Sequence, residues 1–326
     1  MRHTSAAVAL LATTVIGGVA AVPAQAASSA GSSARAVWIK SCSDKEQEST
    51  APCGHWQLIM RDGSKKSVAD AAVFSQDANG SKSGSQAIFA ISGDGRWIVY
   101  ERARDHRLVV RKAGGGAVTE LPKALVPRSL GTYNVSVFMS PSGDRVLVHS
   151  QDEKVPGRVV TVATGAMVKF RAGDTLSGFS ADGDEVLATR NAKDNTTTLL
   201  AYRVDGSTVK QTPPQVVMNA GARALAADGH TVAAIVSGKK APRLRLYDLE
   251  TGQLSAPVEL GLKAEALPYL AAWTGDGQLT VKVQSGGDGA PTVIREFTVD
   301  VATGATSKTD SYSISKLNYS WYAAGE

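Results

Sequence analysis

LNYSWYAAGE, Leu317 to Glu326, closes the sequence. It reads as an apolar strand running into a turn, the first half of a β-hairpin with no second half after it. Four internal stretches share its pattern: FAISGDGRWIVY, VFMSPSGDRVLV, SGFSADGDEVLA and YLAAWTGDGQLTV. RALAADGHTVAA is a weaker fifth copy. Each is an apolar segment, a turn with glycine, and a second apolar segment, which is a hairpin signal.

The turn glycines are Gly95, Gly143, Gly183, Gly229 and Gly277, at steps of 48, 40, 46 and 48. A further step of 48 reaches Gly325. Four residues before each lies a large apolar residue: Ile91, Met139, Phe179, Leu225, Trp273 and Trp321. The tail is therefore a sixth copy, cut just after its turn. A second β-rich run ending in a Gly turn follows each internal copy: LVVRKAGGG, RVVTVATG, LLAYRVDG, LRLYDLETG and EFTVDVATG. In RLRLYDL the side chains alternate with strand period.

The repeating unit is four strands, a to d. A period of 40–50 residues with four strands marks a β-propeller blade. Runs such as WIVY and VLVH are apolar at consecutive positions because a blade is covered on both faces by its neighbours. Before the first full copy lie ARAVWIKSC, a polar loop and HWQLIMRDGSKKSV. These supply strands b, c and d but no a. The tail supplies a and no b. The expected fold is all-β: a six-bladed propeller of four-stranded antiparallel blades, closed by the C-terminal strand pairing with the N-terminal strands.

The b-strand entry SPSGDRVLV (Ser140–Val148), with SGDG, SADG and TGDG at equivalent places, resembles the "SPDG" repeat of TolB-like and WD-repeat-like propellers. The resemblance covers roughly residues 35–326. The Trp-Asp dipeptide of WD repeats is absent, and so is the helical N-terminal domain of TolB. The resemblance implies a partner-binding propeller and no more.

The first 26 residues have the layout of a secretory signal peptide: MRH, the apolar run Ala7–Val22, then Pro23 and Ala24-Gln25-Ala26. The run is shorter than the ~20 residues of a spanning helix, so no membrane span is expected after cleavage. Residues 27–34 read as a flexible leader and 35–326 as one domain. Removing 1–26 takes away Arg2 and no acid, so the formal charge falls from +5 to +4. That charge is mild and dispersed, which argues against nucleic acid as a partner. Cys42 and Cys53 are expected to form a disulfide, as suits an oxidising compartment. The localisation expected is extracellular or cell-wall associated.

Catalytic motifs are missing. No G-x-S-x-G, P-loop or G-x-G-x-x-G occurs. His55, His106, His149 and His230 have no metal-ligand spacing, and DANG (Asp77–Gly80) starts like a calcium loop but lacks the later ligands. No cofactor and no metal are expected. The proposed a strands hold no Asp or Glu, and their charges are Arg223 and Lys316. A glycosidase needs two carboxylates across the scissile bond. Acids at the channel mouth, such as Asp174, are the ones left to such an enzyme, although a solvated turn residue is the plainer reading of each.

The b–c loops are long and charged: RARDHR (Arg102–Arg107), QDEKVPGR (Gln151–Arg158), RNAKDN (Arg190–Asn195) and SGKKAPR (Ser237–Arg243). In a propeller they share a face with the d–a connections. Loops on a rigid scaffold are where recognition sits. The candidate partner-binding residues are Arg102, Arg104, Arg107, Lys154, Arg190, Lys193, Lys239 and Lys240. The partner expected is an extracellular protein or an anionic polysaccharide, met by a monomer with no catalysis of its own. The alternative is a glycan hydrolase or lyase at the channel mouth.

Overall fold

The computed structural model describes residues 31–44, 49–127, 129–203, 205–237, 240–287 and 289–326. The expected signal peptide and the first part of the expected leader lie outside these residues.

Strands β1 (Ala34–Asp44), β2 (Ser49–Met60) and β3 (Lys65–Val68) open the domain. A small hairpin follows, β4 (Phe74–Gln76) and β5 (Lys82–Gln86). Then come β6 (Phe89–Ile91), β7 (Trp97–Glu101), β8 (Leu108–Lys112) and β9 (Thr119–Glu120). The next sheet is β10 (Val135–Met139), β11 (Arg145–Ser150), β12 (Arg158–Thr161) and β13 (Met167–Lys169). After it come β14 (Thr175–Phe179), β15 (Glu185–Asn191), β16 (Thr197–Arg203) and β17 (Thr208–Gln211). The fifth sheet is β18 (Ala222–Leu225), β19 (Thr231–Val236), β20 (Arg243–Asp248) and β21 (Val258–Glu259). The last is β22 (Leu267–Gly275), β23 (Gln278–Ser285), β24 (Thr292–Asp300) and β25 (Thr306–Ile314), followed by the lone β26 (Asn318–Ala323).

The sheet orders are β26-β1-β2-β3, β6-β7-β8-β9, β10-β11-β12-β13, β14-β15-β16-β17, β18-β19-β20-β21 and β22-β23-β24-β25. These are six antiparallel blades, called blades 1 to 6 in chain order, and blade 1 borrows its innermost strand from the C-terminus. Strand β26 pairs with β1 from Ala36↔Ala323 to Lys40↔Asn318. The ring closes as expected.

The cores explain why the strands are apolar at adjacent positions. Six hydrophobic clusters lie one between each pair of neighbouring blades. In β16, Leu199 packs toward blade 5 and Leu200 toward blade 3. Consecutive side chains leave a strand on opposite faces, and here both faces are covered. The blade 1–2 interface is aromatic: Trp56 is fully buried against Phe89, at 5.0 Å between ring centres, and its Nε1 donates to Ala72 O at 2.8 Å.

The Ser-x-Asp-Gly turn has a chemical reason. Ser92 Oγ donates to Asp94 Oδ1 at 2.6 Å and accepts Trp97 N–H at 3.0 Å. Ser140 and Ser180 repeat this with Asp144 and Asp182. One hydroxyl thus joins the end of strand a to the start of b, and all three serines are fully buried. In the weaker copy Ala226 replaces the serine, and Asp228 itself accepts His230 N–H and Thr231 N–H. Gly95 has φ +74°, and a Cβ there would overlap the Ala34 carbonyl oxygen, so no other residue fits.

Ser33 and Ala34 are buried, with Arg61 N–H donating to Ser33 O and Ala34 N–H to Gly95 O. The β4–β5 hairpin was not foreseen, and DANG forms its turn, with Asp77 N–H on Ser81 O and Gly80 N–H on Asp77 O. Cys42 and Cys53 are bonded, joining β1 to β2 beside the b–c loop of blade 1. Closing a loop of this size stabilises by roughly 3 kcal/mol.

Candidate functional site

The innermost strands contain no carboxylate, and Arg223 is their one charged residue. Burial pushes the Arg223 guanidinium down, and its Nη1 lies 3.3 Å from Met218 O. Chemistry must therefore be sought at the two faces.

On the face of the a–b turns, a cleft of about 500 Å³ is lined by turns of blades 4, 5 and 6, with Asp182, Asp228 and Asp276. Asp182 and Asp228 are committed to turn hydrogen bonds. Those two acids shape turns. Among the described residues no group of three His, Cys, Asp or Glu side chains could hold a metal ion.

The b–c and d–a connections form the other face. It carries a larger cleft, of about 590 Å³, between blades 2 and 3. One wall is the β4–β5 turn, Gln76 to Gly80; the other is made by residues between Leu121 and Pro127, which include the 3₁₀ turn Lys123–Leu125, and by Gly131 and Thr132. Leu108, Leu121 and Leu125, all buried, make its apolar floor. His106 enters from the b–c loop of blade 2. Its φ of +54° is unusual for a bulky residue and marks local strain. The ring Nδ1 lies 2.5 Å from Glu101 Oε1, and the same oxygen accepts Thr132 Oγ1–H at 3.0 Å. Glu101 is fully buried. Thr132 Oγ1 also accepts Gln76 N–H at 2.7 Å, so the histidine, the hairpin and the blade 3 entry are tied together.

The expected basic residues fall into three groups. Arg102, Arg104 and Arg107 are brought together, but around acids. Arg102 is buried, donates to Asp105 at 2.9 and 2.5 Å and reaches Glu120 at 2.6 Å. Arg107 pairs with the other oxygen of Glu120 and donates to Leu121 O at 2.9 Å. The Arg102 hydrogen bonds hold both Asp105 and Glu120 below the usual carboxylate range. Arg104 is exposed, with Nη2 3.5 Å from Glu120. Arg102 and Arg107 thus brace this loop through the chain's own acids.

Arg190 is held in the same way. Its Nε and Nη2 grip Asp174 at 2.6 and 2.7 Å, and Nη2 also reaches Tyr202 OH at 2.8 Å. Asp174 is 4% exposed, so it is not a solvated turn residue. Burial would raise its carboxyl, but Arg190 and Tyr202 hold it below the usual range. Burial and the Asp174 hydrogen bond push the Tyr202 phenol up to about 12. The Asp174 carboxylate is thus engaged by the chain's own Arg190 and Tyr202.

Lys154, Lys193 and Lys240 are exposed on the b–c loops of blades 3, 4 and 5. They stay apart from one another in the fold. Lys239 lies outside the described residues.

One feature of this face escaped sequence reasoning. The large hydrophobic residues left exposed among the described residues are Tyr133 (47%), Leu267 (63%) and Leu317 (52%). Each stands at the entry to an innermost strand: β10, β22 and β26. All three therefore ring the channel mouth on the b–c/d–a face. The first residues of the a strands were the signal that could have found them.

No family model matches the chain, and no curated protein matches it in sequence. Solved structures do resemble it. A putative TolB from Agrobacterium tumefaciens is 9% identical over 90% of this chain and 91% of its own, with a TM-score of 0.47. TolB from Acinetobacter baumannii is 14% identical over 87% of this chain and 64% of its own, with a TM-score of 0.44. The β-propeller domain of the Trilobed protease from Pyrococcus furiosus is 11% identical over 85% of this chain and 95% of its own, with a TM-score of 0.47. The chain has the TolB-like propeller resemblance that its turns suggested. At such identities nothing about activity or partner follows.

Proposed function

We propose that this chain is a secreted, non-catalytic propeller scaffold that docks a protein partner on its b–c/d–a face. The observation that carries it is the apolar rim: Tyr133, Leu267 and Leu317 all stand exposed at the mouth of one face. Apolar anchors at the centre of a patch, with polar residues outside, are the layout of protein interfaces. Lys154, Lys193 and Lys240 lie outward of this rim and favour a partner with an acidic periphery, acting mainly on the association rate. An anionic polysaccharide fits less well, because Arg102, Arg107 and Arg190 are neutralised by the chain's own acids. Secretion rests on the signal-peptide layout of residues 1–26 and agrees with a disulfide formed in an oxidising compartment.

The test is affinity capture with the mature protein as bait and the culture supernatant of its source as prey. The double substitution Leu267→Glu and Leu317→Glu is expected to abolish capture of any protein held stoichiometrically. Asp276→Lys, on the opposite face, is expected to leave it intact. Equal capture by both variants contradicts the face assignment.

A further inference from the structure

The cleft between blades 2 and 3 has a feature that a flat docking surface does not need. Two of its four Asp and Lys/Arg residues are already paired: Asp105 with Arg102, and Arg107 with Glu120. Among the described residues, the charged or imidazole groups on its lining that have no protein partner are the Asp77 carboxylate on the hairpin wall, the Lys123 ammonium on the 3₁₀ turn and Nε2 of His106; the Gln76 amide and Asn79 Nδ2 beside them are unpartnered too. Beneath them lie Leu108, Leu121 and Leu125.

The His106 ring is held from behind. Its Nδ1 faces Glu101 Oε1, which Thr132 also supports. In the tautomer that gives the Nδ1 proton to Glu101, Nε2 is an acceptor. The cleft thus offers a negative group, a positive group and a hydrogen-bond acceptor above an apolar floor. Its volume, about 590 Å³, lies in the range of roughly 300–1,000 Å³ typical of small-molecule sites.

We propose that this cleft binds a short peptide of two or three residues with both termini free and an apolar side chain. The ammonium terminus meets Asp77, the carboxylate terminus meets Lys123, a backbone N–H meets His106 Nε2, and the side chain covers the leucine floor. A single amino acid fits less well, because its two charges sit on one carbon whereas Asp77 and Lys123 belong to different walls. This site adjoins the apolar rim at Tyr133, whose N–H donates to Gln76 O, but it does not depend on the docking proposal.

Isothermal titration calorimetry of the full mature chain with Leu-Leu, N-acetyl-Leu-Leu and Leu-Leu amide tests it. Leu-Leu is expected to bind, and each blocked form to bind about tenfold or more weakly, the worth of one hydrogen bond to a charged group. Asp77→Asn is expected to weaken Leu-Leu by a similar factor and leave N-acetyl-Leu-Leu unchanged. Lys123→Gln is expected to weaken Leu-Leu and leave the amide unchanged. An unchanged melting temperature shows that the variants fold; otherwise the blocked peptides on the wild-type chain decide. No binding of Leu-Leu, or equal binding of free and blocked forms, overturns the proposal. So does binding of Leu-Leu to Asp77→Asn with undiminished affinity.

Discussion

Trp38 and Trp321 stand directly opposite one another across the strand pair that joins the two ends of the chain. They are 283 residues apart in sequence (321 − 38) and neighbours in one sheet. The rim residue Leu317 hangs on this pairing, because its carbonyl accepts Ser41 N–H at 2.8 Å. Deleting residues 316–326 exposes the edge of β1 and uncovers Trp56, which packs on Tyr322. The truncated chain is expected to lose its single cooperative thermal transition and to aggregate on an open strand edge. Differential scanning calorimetry beside light scattering shows whether it does.

The seam between blades 6 and 1 holds a buried ion pair. Lys282 Nζ donates to Ala324 O at 2.6 Å and lies 3.2 Å from Glu296 Oε1, with both side chains about 6% exposed. Burial pushes the Lys282 ammonium down, and Glu296 opposes that. Removing one partner of such a pair leaves a buried charge, so Lys282→Ala is expected to cost about 3–5 kcal/mol. The double replacement Lys282→Met with Glu296→Leu is expected to recover most of that loss. Urea titration of the three proteins measures both.

Asp174 gives a pH dependence with a definite sign. Its folded pKa lies below the unfolded value of about 3.9. The unfolded chain therefore binds the proton first as pH falls. The stability from this pair is complete above the unfolded pKa and is lost as pH falls through the folded one. Glu185 and Glu326, raised by burial, act in the opposite sense. Asp174→Asn is expected to be less stable than the wild type at pH 7, with the gap narrowing below about pH 4. Thermal melts at pH 7, 5, 4 and 3 follow the difference between the two proteins.

The blades were legible because Gly95, Gly143, Gly183, Gly229, Gly277 and Gly325 all occupy one conformation, with φ between 72° and 84°. A backbone that only glycine tolerates leaves a regular mark in the sequence. The pairing of charges left no such mark. Glu120 is 18 residues from Arg102, and Asp174 is 16 from Arg190. Each pair meets only once separate strands are in register, so loops that look basic in sequence are partly neutral in space. The β4–β5 hairpin was hidden because its strands, FSQ and KSGSQ, are short and polar. The apolar rim was hidden because Tyr133, Leu267 and Leu317 look like ordinary strand residues until the direction of each innermost strand is known.

Hydrogen–deuterium exchange on the protein with its captured partner tests the docking face most directly. New protection is expected at the entries to the innermost strands, around Tyr133, Leu267 and Leu317. The a–b turns at Gly183, Gly229 and Gly277 are expected to exchange as in the free protein. Protection confined to those turns, or to the outer strands β3, β9 and β13, contradicts the account.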